Sequence, residues 1–108
     1  MIKNRKAFIV GIKSTTLSKK EKIFLKKYKP WGVILFARNL KKFEQIITLT
    51  SDIRLIFKDK KYPILIDQEG GRINRLNNLI EASTFTARYF GKLYKSNKNK
   101  FYNYYKIY

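Results

Sequence analysis

Three short apolar runs, separated by segments with helical periodicity, constrain the fold of this chain more than any other feature. The runs are rich in β-branched residues and continuously apolar, and they cover Ala7 to Ile12, Gly32 to Ala37 and Pro63 to Ile66. Continuously apolar strands are typical of a parallel sheet whose two faces are both covered. The runs therefore predict buried strands in the order β-α-β-α-β, joined by right-handed crossovers.

The first intervening segment carries a strong signal for the start of a helix. Ser18 stands three residues before Glu21, which is the spacing of a capping box. Pro30 cannot continue a helix and sets its end. The apolar residues expected on the buried face of this helix are Leu17, Phe24, Leu25 and Tyr28.

Two further helices are predicted. The chain is short enough to form one domain at most. A third helix is expected from about residue 83 to 94, so that residues 1–94 form one partial domain. The tail, residues 95–108, is rich in Lys, Asn and Tyr and is either disordered or a helix cut short. The second helix is indicated by apolar or small residues at helical spacing, namely Phe43, Ile46, Ile47, Thr50, Ile53 and Phe57.

The formal net charge of +18 raises the question of a nucleic-acid partner. Phosphate binding needs clustered cations, whereas the 25 Lys and Arg residues are spread over the whole chain. Lys, Ile, Asn and Tyr are over-used together, as an AT-rich coding sequence would produce. This compositional origin is favoured, and nucleic-acid contacts beyond nonspecific charge are not expected.

Several classes of protein are made improbable by what the chain lacks. It has no Cys and no His, so it has no disulfide, thiolate site or imidazole chemistry, and we predict no cofactor and no metal site. No apolar run approaches the roughly 20 residues that span a bilayer, and we expect no membrane partner. These absences indicate a cytoplasmic protein.

The ends of the first two predicted strands carry polar residues. The segment Gly11 to Thr15 lacks the glycine spacing of a phosphate-binding loop and is interpreted as a strand-to-helix loop. Arg38 and Asn39 follow the second strand, on the edge where parallel α/β folds bind ligands. The alternative, which is favoured, is that Arg38 pairs with a neighbouring carboxylate and holds the loops.

The densest polar cluster, DQEGGRINRL, directly follows the third run. The carboxylate of Asp67 is expected at the strand end, facing the ligand side. Gly70 and Gly71 allow a sharp turn beside a ligand, and Arg72 and Arg75 have the spacing that aligns side chains on a helical turn. Carboxylate and guanidinium groups together suit the hydroxyl groups of a sugar.

Asp67 and Glu69 invite comparison with the paired carboxylates of a glycosidase. In retaining enzymes these groups flank the scissile bond about 5 to 5.5 Å apart. Two residues of one turn would instead approach the sugar from one side. An ion pair of Glu69 with Arg72 or Arg38 is therefore favoured, and the residues alone leave open whether the cluster is a site or a charged turn.

The strings GVILFARN and PILIDQEGGRINRL resemble the N-terminal domain of family 3 glycoside hydrolases, of the bacterial β-N-acetylglucosaminidase type. LSKKEKIFLKKYKPW and FTARYFGKLY extend the resemblance over about residues 7 to 94. The resemblance implies the N-terminal (β/α)₃ portion of a (β/α)₈ barrel. It also implies cleavage of terminal β-linked N-acetylglucosamine, with a muropeptide of the cell wall as the substrate.

The resemblance assigns roles to the residues of the glycine loop. Asp67 and Arg75 would contact the sugar. The catalytic groups of the family, a histidine in a KHFPGHG-type loop and a later aspartate, do not occur in this chain. Residues expected to shape the loop behind the sugar are Glu69, Gly70, Gly71, Arg72 and Arg38.

Three hypotheses follow for the chain as a whole. The first is an N-terminal fragment of a β-N-acetylhexosaminidase that does not hydrolyse substrate alone. The others are a small basic RNA-binding protein and a sugar-binding module without catalysis. Because three strands cut from a barrel have two unpaired edges, we also expect exposed apolar surface.

Overall fold

A computed structural model describes residues 4–68, 75–76, 79 and 86–107. The chain separates into two compact units, Met1–Asp67 and Gln68–Tyr108. The first unit contains three strands and two helices in the predicted alternation. These elements are β1 (Lys6–Gly11), α1 (Lys19–Tyr28), β2 (Pro30–Leu35), α2 (Phe43–Phe57) and β3 (Ile64–Ile66), with one 3₁₀ turn at Ala37–Asn39.

The three strands form a parallel sheet in the order β1-β2-β3. Lys6 lies opposite Pro30, and after one irregularity Ile9 lies opposite Gly32. On the other side of β2, the residue pair at the strand ends is Leu35 and Ile66. The predicted parallel α/β arrangement is therefore confirmed.

The expectation that all three strands are covered on both faces holds only for the central one. Four of the six residues of β2 are buried, whereas β1 contains no buried residue and β3 contains none. The physical reason is position, since β1 and β3 each pair with one strand among the described residues. Ile9 and Ile66 are 45% and 38% exposed, as the expected open edges require.

The helix α1 begins with the predicted capping box. Ser18 Oγ accepts from the Glu21 N–H at 3.1 Å, and Glu21 Oε2 accepts from the Ser18 N–H at 2.8 Å. The predicted buried face is only half correct. Leu17 and Leu25 are buried, but Phe24 and Tyr28 are exposed and pack on each other with ring centroids 4.8 Å apart.

The helix α2 has the predicted bounds but a rotated buried face. Leu49 and Ile53 are buried, whereas Phe43 and Ile47 are 57% and 65% exposed. At about 100° per residue, Ile47 lies roughly 120° around the helix from Ile53 and points away from the sheet. An apolar stripe wider than the contact with one sheet leaves its far side in solvent.

Tyr62 is a core residue that packs between the start of β2 and the end of α2. Its side chain is buried, its hydroxyl donates to the Pro30 carbonyl at 2.9 Å, and its ring stacks on Phe57 with centroids 3.8 Å apart. Burial raises the pKa of the Tyr62 phenol to about 12, although the positive charge of Arg5 acts in the opposite direction. The neutral phenol is thus the form that the fold accommodates.

We predict that Tyr62 makes the stability of the first unit fall in alkaline solution. The unfolded phenol ionises near pH 10 and the folded one near pH 12, so its contribution is complete below pH 10 and is lost toward pH 12. The difference in unfolding free energy between the wild-type chain and Tyr62→Phe, followed from pH 8 to 12, isolates this effect from lysine titration. A difference that does not change with pH would contradict the prediction.

The described part of the second unit contains two helices, α3 (Ala87–Ser96) and α4 (Lys98–Ile107). Thr86 caps α3, because its Oγ1 accepts from the Tyr89 N–H at 3.0 Å. The helix is predicted to start at about residue 83, and its described part begins at Ala87. Residues 83–85 are not among the described residues. The tail forms α4, which packs its Phe101 ring 6.1 Å from that of Phe90. The domain boundary expected at residue 94 stays a prediction.

Candidate functional site

The carboxyl ends of the three strands lie side by side in the parallel sheet. Asp67 follows β3 directly, and its backbone N–H donates to the Leu35 carbonyl at 3.3 Å. This bond continues the β2–β3 ladder by one residue and holds Asp67 half-buried at the strand end. Asp67 therefore lies at the carboxyl end of β3, where the sequence predicts it.

Asn39 organises the loops at this edge. Its side chain is fully buried and makes three hydrogen bonds. Nδ2 donates to the carbonyls of Ile12 and Ser14 at 3.1 and 2.7 Å, and Oδ1 accepts from the Phe36 N–H at 2.9 Å. Asn39 thus ties the loop after β1 to the loop after β2, and it is not a residue that faces a ligand.

Gln45, in the first turn of α2, extends this network. Its Nε2 donates to the carbonyls of Thr15 and Asn39 at 2.7 and 2.9 Å, and its Oε1 accepts from the Lys41 N–H at 3.0 Å. No sequence signal marks Gln45, since a lone glutamine in a helix has no distinctive spacing. Its amide is used entirely for positioning backbone.

The carboxylate of Glu21 connects the loop after β1 to the start of α1. Beyond the capping box, Oε1 accepts from the Lys13 N–H at 2.7 Å. Partial burial acts to raise the pKa of Glu21, but the backbone N–H groups of Ser18 and Lys13 bring it below the usual value. Glu21 is therefore a charged structural group. The segment Gly11 to Thr15 leads from strand to helix as predicted, although Gly11 is still the last residue of β1.

Arg38 lies on the surface of the same loops. Its Nε donates to the Ile12 carbonyl at 3.0 Å, and its guanidinium lies 4.8 Å from the centre of the Phe36 ring. Gly11 leaves room for it, because a Cβ atom there would come within 3.2 Å of Arg38 Nη2. Arg38 thus contacts a backbone carbonyl and an aromatic ring. Within residues 4–68 the one ion pair joins Arg5 to Asp59, so the favoured pairing of Arg38 with a carboxylate is not seen there.

Part of the predicted glycine loop lies outside the described residues. Arg75 is described, and its backbone N–H donates to Gln68 Oε1 at 2.8 Å. The proposed contact of the Arg75 side chain with a sugar stays a prediction, as do the loop-shaping roles. The loop residues outside the described part are Glu69, Gly70, Gly71 and Arg72.

The described residues at the carboxyl ends of the strands offer groups that can bind a ligand, and not a pair of catalytic carboxylates. Asp67 supplies a carboxylate and Arg38 a guanidinium, and both suit hydroxyl groups of a sugar. Another acid of this loop system, Glu21, is engaged by backbone N–H groups. The arrangement can hold and orient a polar ligand at the ends of parallel strands.

Known proteins similar in sequence are bacterial β-hexosaminidases. The enzyme of Bordetella pertussis is 44% identical over 72 residues, which are 65% of this chain and 20% of that protein. That of Hydrogenovibrio crunogenus is 34% identical over 92 residues, or 85% of this chain and 25% of that protein. The chain thus spans about a fifth to a quarter of the length of these relatives. No protein-family model matches it.

Solved structures agree with the sequence matches. NagZ from Neisseria gonorrhoeae in complex with N-trifluoroacetyl-D-glucosamine superposes with a TM-score of 0.73 and 28% identity. The match covers 86% of this chain and 27% of that one. Native NagZ from the same organism gives a TM-score of 0.70 and 31% identity.

The class of protein that the chain resembles is the N-terminal (β/α)₃ portion of family 3 glycoside hydrolases, since its described fold matches the N-terminal portion of NagZ. Within that class the relatives are β-hexosaminidases, and among solved structures NagZ. The expected family resemblance and fold class are confirmed. The alternative of a small RNA-binding protein finds no support among these relatives. No helix within residues 4–68 or 86–107 is long and apolar enough to cross a membrane.

Proposed function

We propose that the carboxyl ends of the three strands and the loops that follow them bind a terminal β-linked N-acetylglucosamine unit. This region would be the sugar-binding part of a β-N-acetylhexosaminidase. The observation that carries the proposal is the position of Asp67, half-buried directly after β3 in the segment that resembles the family motif. Asp67 would accept hydrogen bonds from sugar hydroxyls, and Arg75 would donate to them. Arg38 and Asn39 would keep the surrounding loops in place.

The finer parts of the proposal concern the natural substrate and the setting. A muropeptide carries a terminal N-acetylglucosamine of the required kind, so cell-wall recycling in the cytoplasm is the proposed context. The network around Asn39 and Gln45 supports a role in binding, since it makes the strand-end loops rigid before a ligand arrives. By the family resemblance, hydrolysis would also need a histidine as general acid/base, and this chain contains no histidine.

Binding can be tested with N-trifluoroacetyl-D-glucosamine, whose fluorine atoms report directly in ¹⁹F NMR. We expect saturable broadening of the CF₃ resonance by the full chain, and loss of at least about tenfold in affinity in Asp67→Ala, because hydrogen bonds to a charged acceptor contribute about 1.5–3 kcal/mol. Asp52→Ala removes the same charge from α2 and serves as the matched control. Equal broadening by all three proteins would exclude a role for Asp67.

Catalysis is expected to be absent from the chain alone. A chromogenic N-acetylglucosaminide should be hydrolysed no faster than in buffer, since the chain contains no histidine. This control separates binding from chemistry in the same preparation. Turnover that disappears in Asp67→Ala would show instead that Asp67 is itself catalytic.

A further inference from the structure

A cavity lies at the amino-terminal end of the strands, where α1 and α2 end. It has a volume of about 540 Å³, and its apolar wall is formed by Ile56 and Phe57. This volume is in the range of small-molecule sites. The cations that line the cavity come from the start of β1 and from the ends of both helices, and they are Arg5, Lys26, Lys29 and Lys58.

The charge in this cavity is unbalanced. Its single carboxylate, Asp59, is bound by Arg5 with Nη2 and Oδ2 2.5 Å apart, and it also accepts from the Lys61 N–H at 2.8 Å. These two donors lower the pKa of Asp59, so the pair stays charged and mutually neutralised. The lysines have no ion-pair partner among the described residues. Three positive charges therefore remain available to a ligand.

Two of the three lysines adopt a backbone conformation that disfavours them. Lys29 follows α1 with φ 48° and ψ 60°, and Lys58 follows α2 with φ 48° and ψ 38°. This left-handed region is normally occupied by glycine at helix ends. The backbone N–H of each residue caps its helix, a function that glycine would perform with less strain. Both strained lysines line the same cavity, and strain retained at one site is a reason to look for a function there.

The helix dipoles offer a structural explanation for these lysines. Cations near a helix C-terminus interact favourably with the helix dipole, which applies to Lys26, Lys29 and Lys58 alike. That interaction does not require the lysine to be the left-handed residue itself, because a lysine one turn earlier has the same benefit. It also does not explain a cavity with an apolar wall between the two helix ends.

We propose that this cavity binds the diphosphate group of a small molecule. A diphosphate carries the compact negative charge that three lysines balance, and lysine ammonium groups bind phosphate as mobile point charges. Arg5 keeps Asp59 from repelling the ligand. The site lies at the amino-terminal end of the strands, so it is separate from the proposed sugar site and does not depend on it.

The test is calorimetric titration of the full chain with inorganic pyrophosphate at low ionic strength. We expect saturable binding that weakens at least tenfold in the double variant Lys29→Gly/Lys58→Gly. Because glycine relieves the left-handed strain, the same variant should melt at an unchanged or higher temperature. The matched control Lys19→Gln/Lys20→Gln lowers the net charge equally at the start of α1 and should bind as the wild-type chain does.

The outcomes separate the possibilities. Absence of saturable binding, an equal loss in the control, or full binding by the glycine variant would each overturn the proposal. A glycine variant with a lower melting temperature and unchanged pyrophosphate binding would assign the lysines to the helix dipoles alone. Titration with uridine diphosphate then identifies the source: affinity above that of pyrophosphate supports a nucleotide, and equal affinity supports the bare diphosphate.

Discussion

Replacing Asn39 with alanine is expected to destabilise the first unit by about 2–4 kcal/mol, because it removes three hydrogen bonds that contribute about 0.5–1.5 kcal/mol each. The side chain is fully buried and bonds the carbonyls of Ile12 and Ser14 and the N–H of Phe36. Ile12 retains the bond from Arg38, so the loss falls mainly on Ser14 and Phe36. Domains of this size are stable by only about 5–15 kcal/mol, so this is a large fraction.

Urea unfolding followed by the fluorescence of Trp31, the single tryptophan, measures this effect. The matched control is Asn99→Ala, an exposed asparagine in α4, which should change stability by less than about 0.5 kcal/mol. Asn39→Asp keeps the shape and the acceptor but loses both donors, so we expect it to be destabilised as well. A loss below about 1 kcal/mol in Asn39→Ala would mean that solvent replaces the missing bonds.

Tyr62→Ala is expected to be comparably damaging, at about 3–5 kcal/mol for an aromatic side chain removed from a core. Tyr62 is 1% exposed, stacks on Phe57 at an angle of 4° between the ring planes, and lies 4.6 Å from the Arg5 guanidinium. Alanine would remove the stacking, the cation–π contact and the hydroxyl bond to Pro30 together. The start of β2 and the end of α2 would then lose their common support.

The hydroxyl can be separated from the ring with Tyr62→Phe, for which we expect a loss of about 1 kcal/mol, the usual net value of one hydrogen bond. The same urea titration measures both variants. Equal effects in Tyr62→Ala and Tyr62→Phe would show that the hydrogen bond, and not the packing, carries the contribution. A change of the unfolding slope in either variant would instead indicate an altered denatured state.

The elements of the first unit followed from local sequence signals. Ser18 and Glu21 stand at capping-box spacing, and the contact between them depends only on neighbouring backbone. The helix bounds at Phe43 and Phe57 agree with the apolar periodicity. Such signals act within one or two turns, and therefore they can be recognised without knowledge of the fold.

Burial could not be inferred in the same way. Phe43 and Ile47 belong to the apolar periodicity of α2 and yet face solvent, while Leu49 occupies the core. Which part of a wide apolar stripe is covered depends on the sheet against which the helix packs. The same reasoning explains β1, whose apolar sequence would suit a central strand but whose position is at an edge of the sheet that the described residues form.

The roles at the candidate site divide along the same line. Asp67 was placed at the strand end by its sequence neighbours alone, because the residue after a strand stays at the edge of the sheet. Asn39, which the sequence places at the strand ends where ligands bind, joins loops 25 to 27 residues apart in the chain. Its partners are backbone carbonyls, which every residue has, so no residue pattern marks them in advance.

The amino-acid sequence by itself determined the order of strands and helices, the start of α1 and the family that the chain resembles. It did so because apolar periodicity, capping and the DQEGGR string are local properties. Only the tertiary structure decided that Asn39 and Gln45 hold the strand-end loops, and that Lys29 and Lys58 meet at one cavity. Those features depend on packing between residues that are distant in the chain, which no local pattern encodes.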